Sequence, residues 1–203
     1  MNVVGSFTSM PSRINYTYAI RSFLRQTYPV ERVFFNVPYQ LRNASLDAAG
    51  IALIRPFIDF GPAAKIMGVL EHVSPADLIF VIDDDINYAN DLLHFLVETR
   101  NQSNADVVSF DTCSAARLGG ICGFEGFLVR RAIMDAANAF FARLPSECIS
   151  VDDMWLGYYL RWQKGRIHYA RSFRHSLLTR VQSWQSTIFD ANSLSHYTLS
   201  HHP

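Results

Sequence analysis

Three consecutive carboxylates follow the most apolar run in the chain. Residues 78–82 are apolar and rich in β-branched and aromatic side chains, and the run stops at Asp83, Asp84 and Asp85. This pattern is typical of a strand buried on both faces, which places the acids at its carboxyl end. In open α/β sheets ligands bind at that edge. Because like charges repel, the triplet favours a site where a divalent cation and a positively charged neighbour share the charge.

Oxygen ligands without an adjacent Cys or His favour Mg²⁺ or Mn²⁺, ions that usually bind phosphate oxygens as well. The alternative is a solvated acidic turn that caps the helix beginning near Asn90. The strongly apolar strand before the acids favours the metal site. A late histidine could complete the metal shell, and among His168, His175 and His196 we favour His175, which follows the last predicted strand in a polar segment. A lone histidine is nevertheless more often structural or solvated.

Other polar residues fall where predicted strands end. Thr8, Pro11 and Arg13 follow the first strand, and Lys65 precedes the acidic strand. Loops at the carboxyl edge of a doubly wound sheet converge on one crevice, so these side chains could meet around a nucleoside diphosphate. Arg13 and Lys65 would then neutralise phosphate charge. Each could also be an ordinary surface cation.

A second acidic pair, Asp152 and Asp153, stands at the start of a predicted helix, directly before a tryptophan. A carboxylate facing the crevice could act as a general base on an acceptor hydroxyl. Either acid could instead cap the helix N-terminus, and both roles could hold at once. The spacing leaves open which aspartate does which.

The elements that must position these residues alternate between strand and helix. We predict strands over residues 1–7, 32–38, 51–57, 78–82, 106–110 and 166–171 and helices after the first, third and fourth of them. A glycine-rich stretch spans residues 119–129, a helix follows over residues 132–141, and another starts near residue 152. Strand, helix and strand joined by short connections imply right-handed crossovers and a mostly parallel sheet with flanking helices. The expected class is a single α/β domain.

Composition narrows the function classes. The 203 residues are 49% apolar and 13% aromatic, which is enough for one sizeable core. Lys plus Arg equals Asp plus Glu at 18 each, so the protein has no net positive charge that would attract nucleic acid. Three cysteines form neither a CxxC pair nor an even disulfide framework, which favours a reducing, cytoplasmic compartment. We expect no signal peptide and no membrane span, features that a domain of a longer protein could also show.

Several common nucleotide and hydrolase motifs are absent. The glycines between residues 119 and 126 do not have dinucleotide-fingerprint spacing, and the sequence contains neither GxxxxGK[ST] nor GxSxG. These absences disfavour dehydrogenase, P-loop and α/β-hydrolase functions.

The ordered set of motifs resembles GT-A fold glycosyltransferases, including small hexosyltransferase-like domains such as those of large algal viruses. The resemblance spans about residues 1–170. It is carried by Thr8-x-x-Pro11-x-Arg13, Gly61-Pro62-x-x-Lys65, Ile82-Asp83-Asp84-Asp85, Gly123-x-x-Gly126 and Val151-Asp152-Asp153-x-Trp155-Leu156-Gly157.

The resemblance implies one transferase domain over residues 1–203. Residues 1–110 would bind the nucleotide sugar, residues 111–175 would form the acceptor side, and residues 176–203 would be a tail. It implies that Asp83 contacts the ribose or metal side of the nucleotide, that Asp85 ligates Mn²⁺ or Mg²⁺, and that Asp84 belongs to the same nucleotide-binding element. Thr8, Pro11 and Arg13 would line the nucleoside pocket, with Lys65 close to the nucleotide.

The expected reaction moves a sugar from a nucleoside diphosphate sugar, UDP-linked by preference, to a hydroxyl of a glycan or glycoprotein acceptor. Asp152 or Asp153 would be the base of an inverting transfer, although retaining chemistry remains possible. Two alternatives come from other classes: a sugar-phosphate nucleotidyltransferase, for which TSMPSR is a poor phosphate loop, and a sugar-nucleotide-binding module without transferase activity.

Overall fold

The computed structural model describes residues 1–13, 16–48, 50–171 and 179–180. Its strands are β1 (Val3–Thr8), β2 (Arg32–Asn36), β3 (Ala52–Ile54), β4 (Leu78–Val81), β5 (Ile86–Asn87), β6 (Val107–Phe110), β7 (Phe127–Arg130), β8 (Ile167–Ala170) and β9 (Thr179–Arg180). Its α-helices are α1 (Thr17–Leu24), α2 (Ala64–Met67), α3 (Leu92–Ser103), α4 (Ser114–Arg117), α5 (Ala137–Phe141) and α6 (Asp152–Trp162).

Within the described residues, seven strands form one sheet in the order β3-β2-β1-β4-β7-β6-β8, and β5 pairs with β9 in a separate ribbon. Strands β1, β2, β3 and β4 are parallel, and β6 is parallel to β8. Strand β7 runs antiparallel to both of its neighbours. The predicted α/β class with a mostly parallel sheet is therefore confirmed.

Strand β7 was not expected, because its residues follow a glycine-rich stretch and read as part of a loop. It inserts between β4 and β6, with Phe127 opposite Val81 at the carboxyl end of β4. Because β7 is antiparallel, the residues that precede Phe127 lie at the same edge of the sheet as the acids that follow β4. This reversal brings the stretch from Gly123 to Gly126 to the edge where the aspartates lie.

Helices cover both faces of the sheet in two separate cores. The first core contains apolar residues of α1 and α3, and the second contains those of α2, α5 and α6. Gly5 in β1 lets α1 approach closely, since a Cβ atom there would lie 2.5 Å from the ring of Phe23. The central strands β1 and β4 are thus sandwiched between helices, which explains their continuous apolar sequences.

Two predicted helices are shorter than expected. The helix predicted over residues 132–141 is a 3-10 turn over Arg131–Met134 followed by α5. The one after Gly61 begins with a 3-10 turn over Gly61–Ala63 and continues as α2 for a single turn. After Gly61 the predicted apolar face, formed by Ile66, Val69, Leu70 and Val73, is buried although the helix is short. No helix among the described residues has the length and apolarity needed to cross a bilayer.

Candidate active site at the carboxyl edge of the sheet

The aspartate loop, residues 83–85, leaves β4 and turns inward. Asp84 is 5% exposed and Asp85 8% exposed, while the side chain of Asp83 is 28% exposed. Ser9, just past β1, donates a hydrogen bond from its hydroxyl to Asp84 Oδ2 at 2.5 Å. The N-cap of α3 is Asp91, outside the loop. The alternative of a solvated acidic turn that caps this helix is therefore wrong.

Hydrogen bonds link the backbone of Lys65 to β1 and, through Ser6, to β2. Its carbonyl oxygen accepts a hydrogen bond from Ser6 on β1, and the Ser6 hydroxyl in turn accepts one from Asn36 Nδ2 at 2.9 Å. Asn36 also donates to the carbonyl of Phe7 at 3.0 Å. These buried bonds hold the backbone of α2 against β1 and β2, so the position of the lysine depends on the sheet.

The ammonium group of Lys65 joins two acidic segments. Its Nζ lies 2.8 Å from Asp83 Oδ1 and 3.2 Å from Asp152 Oδ2, and the whole side chain is buried. Burial by itself lowers the pKa of Lys65, but the charges of Asp152, Asp83 and Asp153 outweigh it and hold the pKa well above its ordinary value. The lysine is therefore a fixed positive charge at neutral pH.

Neither aspartate of the second acidic pair caps α6. The N-cap is Val151, and Asp152 and Asp153 are the first two helical residues. The suggestion that one of them caps the helix was wrong because the helix already begins at Asp152, one residue earlier than a cap at that position would allow. Negative charge in the first turn still favours the helix dipole.

Asp153 has the properties of a base that works near neutral pH. Burial and the nearby charges of Asp152 and Asp83 raise its pKa to about 7, while Lys65 and a hydrogen bond with the backbone of Gly123 act in the opposite direction. Gly123 lies directly against the carboxylate, since a Cβ atom there would be 2.3 Å from Asp153 Oδ1. A glycine at this position is thus required by the approach of the acid.

Gly119 and Gly120 allow α6 to pack closely against them. Gly157 on α6 faces Gly119 and Gly120, because a Cβ atom on Gly157 would lie 2.4 Å from the carbonyl oxygen of Gly119. The backbone N–H of Ile121 donates to the carbonyl of Asp153 at 2.8 Å. These contacts fix the helix N-terminus, and with it both aspartates, against the edge of the sheet.

Two residues at this edge were not singled out for the site from the sequence. Tyr88 is buried, and its hydroxyl accepts from the backbone N–H of Asp83 at 2.9 Å and donates to the carbonyl of Phe124 at 2.8 Å. Glu125, which lies in the glycine-rich stretch, is buried and accepts a hydrogen bond from the hydroxyl of Thr112. No local pattern marks either residue, because their partners come from distant segments.

Of the remaining predicted site residues, Thr8 and Pro11 lie within the described part of the chain. Thr8 ends β1, and its hydroxyl donates to the carbonyl of Asn36 at 2.7 Å. Pro11 begins an exposed 3-10 turn at the carboxyl end of β1. The side chain of Arg13 and the whole of His175 lie outside the described part of the chain, so their predicted roles stay predictions.

The aspartate loop has the donor chemistry of a hard-cation site. Its carboxylate oxygens suit Mg²⁺ or Mn²⁺, which proteins usually bind through one or two carboxylates together with substrate phosphates. Among the described residues no three His, Cys, Asp or Glu side chains cluster as a complete metal site. Asp83 and Asp85 therefore fit a metal that shares its shell with a ligand, and metal binding remains a prediction.

No family model matches the sequence, and no curated protein sequence matches it either. Solved structures do resemble it. One is S. aureus TarS 1-349 in complex with UDP, with a TM-score of 0.58 and 12% identity over 85% of this chain and 61% of that one. The chain shares the mixed α/β fold of this structure. It spans less than two thirds of the TarS chain, so some parts of TarS have no counterpart here.

Two other similar structures belong to nucleotidyl transfer enzymes. CMP:2-keto-3-deoxy-manno-octonic acid synthetase, complexed with CTP, has a TM-score of 0.57 and 11% identity over 85% of this chain and 90% of its own. For 4-diphosphocytidyl-2C-methyl-D-erythritol synthase the TM-score is 0.55 and the identity 12%, over 90% of this chain and 94% of that one. At these identities the likeness shows the fold alone.

Proposed function

We propose that this protein is a metal-dependent glycosyltransferase that moves a sugar from a nucleoside diphosphate sugar to an acceptor hydroxyl with inversion. The observation that carries the proposal is the contact of Lys65 with both Asp83 and Asp152. This contact joins the aspartate loop, where a diphosphate would bind, to the helix that bears a candidate base. Donor and acceptor chemistry can therefore occur side by side.

We propose Asp153, not Asp152, as the general base. The carboxylate of Asp152 is engaged by Lys65, whereas Asp153 is less buried and has a pKa of about 7. A base with a raised pKa accepts a proton more readily and is still ionised in a large fraction of molecules at neutral pH. Asp152 and Lys65 then hold the first turn of α6 in place.

In the proposed reaction the acceptor oxygen attacks the anomeric carbon from the face opposite the diphosphate. Asp153 takes the proton of the hydroxyl as the new carbon–oxygen bond forms. The bond from the anomeric carbon to the diphosphate breaks, and its electron pair leaves with the nucleoside diphosphate. A divalent cation bound by Asp83 and Asp85 would supply Lewis-acid stabilisation of the charge on the departing diphosphate. Lys65 adds a fixed positive charge beside the carboxylate of Asp83.

A UDP-linked donor is supported by the fold likeness to TarS, which was solved with UDP and with UDP-GlcNAc. Thr8, Pro11 and Arg13 are proposed to line the nucleoside pocket, and His175 is proposed as a further metal ligand. A glycan or glycoprotein hydroxyl is the proposed acceptor. A reducing, cytoplasmic setting is proposed from the cysteine pattern.

The metal and base roles are tested by separate variants. UDP-sugar turnover should require Mn²⁺ or Mg²⁺, should stop with EDTA, and should be lost in Asp85→Ala. Asp153→Asn should lose turnover while it retains UDP affinity, and Asp152→Asn should lose stability as well. Equal turnover in wild type and Asp85→Ala, with and without EDTA, would refute the metal role. Near wild-type turnover of Asp153→Asn would refute the base.

A nucleotidyltransferase is the second candidate, favoured by the high coverage of the two nucleotidyl transfer enzymes. Incubation with a nucleoside triphosphate and a sugar phosphate would then release pyrophosphate and form a nucleotide sugar. Incubation with a UDP-sugar and an acceptor would instead release UDP under the main proposal. Metal-dependent UDP binding without either product would indicate a binding module.

A further inference from the structure

The hydroxyl of Tyr88 bridges two loops that are distant in sequence. It accepts a hydrogen bond from the backbone of the aspartate loop at Asp83 and donates one to Phe124 in the glycine turn, residues 123–126. Both bonds have normal lengths, and the ring is buried. The phenol therefore uses its donor and one acceptor position to tie the loops together.

The bridge reaches the proposed base in one further step. Gly123, the residue before Phe124, lies against the Asp153 carboxylate and leaves no room for a side chain beside it. A continuous path thus runs from the backbone of Asp83 through Tyr88 and the glycine turn to Asp153. Movement of the turn would change the position of Asp153 relative to the aspartate loop.

Hydrogen bonds with side chains in and just after α1 hold the backbone around Tyr88. Its backbone N–H donates to the hydroxyl of Ser22 on α1 at 3.2 Å. Gln26, two residues past the end of α1, donates to the carbonyl of Ala89 at 2.8 Å and accepts from the backbone N–H of Leu93 at 2.8 Å. These bonds hold the backbone of Tyr88 and of the residues that follow it, so the hydroxyl has a defined position in the core.

We infer that Tyr88 is a positioning residue, which sets the distance between the donor-binding aspartate loop and the acceptor-side glycine turn through one hydroxyl. The consequence for turnover rests on the proposed function, while the mechanical link between the loops does not. Burial raises the pKa of Tyr88 well above its ordinary value, and the nearby charge of Asp83 adds to the rise. The hydroxyl consequently remains a donor throughout the pH range in which Asp153 ionises.

The variant Tyr88→Phe removes the hydroxyl and leaves the ring. Its matched control is Tyr159→Phe, because Tyr159 is also buried and its hydroxyl donates to a backbone carbonyl, that of Ile133, at 2.8 Å. That bond lies outside both loops. We expect both variants to lose melting temperature, and Tyr88→Phe to lose more, since it deprives both the Asp83 N–H and the Phe124 carbonyl of a partner while Tyr159→Phe affects one carbonyl.

The two variants should differ in turnover. With a UDP-sugar donor, Tyr88→Phe should lower kcat by about 10- to 100-fold, the range expected for a small misplacement of reacting groups, with little change in donor KM. Tyr159→Phe should keep the wild-type kcat. A kcat for Tyr88→Phe equal to that of Tyr159→Phe, in an enzyme that is active as wild type, would overturn the positioning role.

A second measurement tests the link without any substrate. Thr112→Val removes the hydroxyl that donates to Glu125 and so loosens the glycine turn. Hydrogen exchange of the Asp83 amide should then accelerate in Thr112→Val compared with wild type. In the Tyr88→Phe background, Thr112→Val should produce no additional acceleration at Asp83.

If Thr112→Val leaves exchange at Asp83 unchanged although exchange in the glycine turn accelerates, the loops are not coupled and the inference is wrong. Unchanged exchange in both loops would equally contradict it, because the turn would then not depend on its contacts. If wild type shows the coupling but transfers no sugar, the proposed function fails and the link between the loops stands.

Discussion

Removing the charge of Lys65 should destabilise the protein strongly. The Lys65→Met variant leaves Asp83, Asp152 and Asp153 without the cation that two of them contact at 2.8 and 3.2 Å. Breaking a buried ion pair by deleting one partner costs about 3–5 kcal/mol. At ~2–4 °C per kcal/mol for a chain of this size, the melting temperature should fall by roughly 6–20 °C.

The loss should depend on pH in a defined direction. The pKa of Lys65 is raised in the folded protein, so its contribution is complete below the ordinary lysine pKa and is lost only as pH rises through the folded value. Between pH 5 and 8 wild type therefore keeps the ammonium charged. In Lys65→Met the pKa of Asp153 should rise further, because Lys65 normally lowers it. Protonation then relieves the repulsion, and the gap to wild type should narrow as pH falls.

Differential scanning calorimetry from pH 5 to 8 measures this effect. The control is Lys164→Met, which changes the chain's other lysine at an exposed position and should shift stability by less than about 0.5 kcal/mol. The double variant Lys65→Met/Asp152→Asn should recover part of the loss, since it removes one unpaired charge. A melting temperature of Lys65→Met equal to that of Lys164→Met at pH 8 would refute the reasoning.

Four further predictions concern the same edge of the sheet. Because the folded pKa of Asp153 is raised to about 7, its favourable contribution is lost as pH rises from about 4 through 7, so Asp153→Asn should be more stable than wild type at pH 8 and lose this advantage near pH 5 in thermal melts. Wild-type kcat should rise with pH through about 7, and a flat profile would contradict the base assignment. Gly123→Ala should lower kcat by about 10-fold or more at near wild-type folding, because its methyl group would displace the Asp153 carboxylate. Gly157→Ala should instead lower the unfolding free energy by about 1–3 kcal/mol in urea titrations, since α6 must move away from Gly119, and an unchanged midpoint would show that the helix does not pack there as described.

Strand β4 and its acids could be predicted because the evidence is local. A fully buried strand must be apolar throughout, so the abrupt change to three carboxylates marks its end without any knowledge of the rest of the fold. The parallel arrangement of β1, β2 and β4 could be predicted for a similar reason, since short strand–helix–strand connections permit few topologies. The fold class follows from these elements.

The second half of the sheet could not be predicted in the same way. Strand β7 is four residues long, and a strand this short is stabilised by its neighbours on both sides more than by its own sequence. Its antiparallel direction, which carries the glycine turn to the carboxyl edge, depends on pairing with β4 and β6. The need for glycine between residues 119 and 126 likewise becomes clear only from the structure, in which α6 and Asp153 lie against these residues.

By itself, the sequence determined which side chains are available for chemistry and where they stand relative to the strands and helices. These side chains are the aspartate loop, Lys65 and the acidic pair of α6. The tertiary structure alone decided that Lys65 contacts acids from both segments, that Asp153 and not Asp152 lies against Gly123, and that Tyr88 joins the two loops. Residue type and strand ends are encoded within a few neighbouring positions. Distances between segments far apart in sequence, and the pKa of a buried acid, arise from how the whole chain packs.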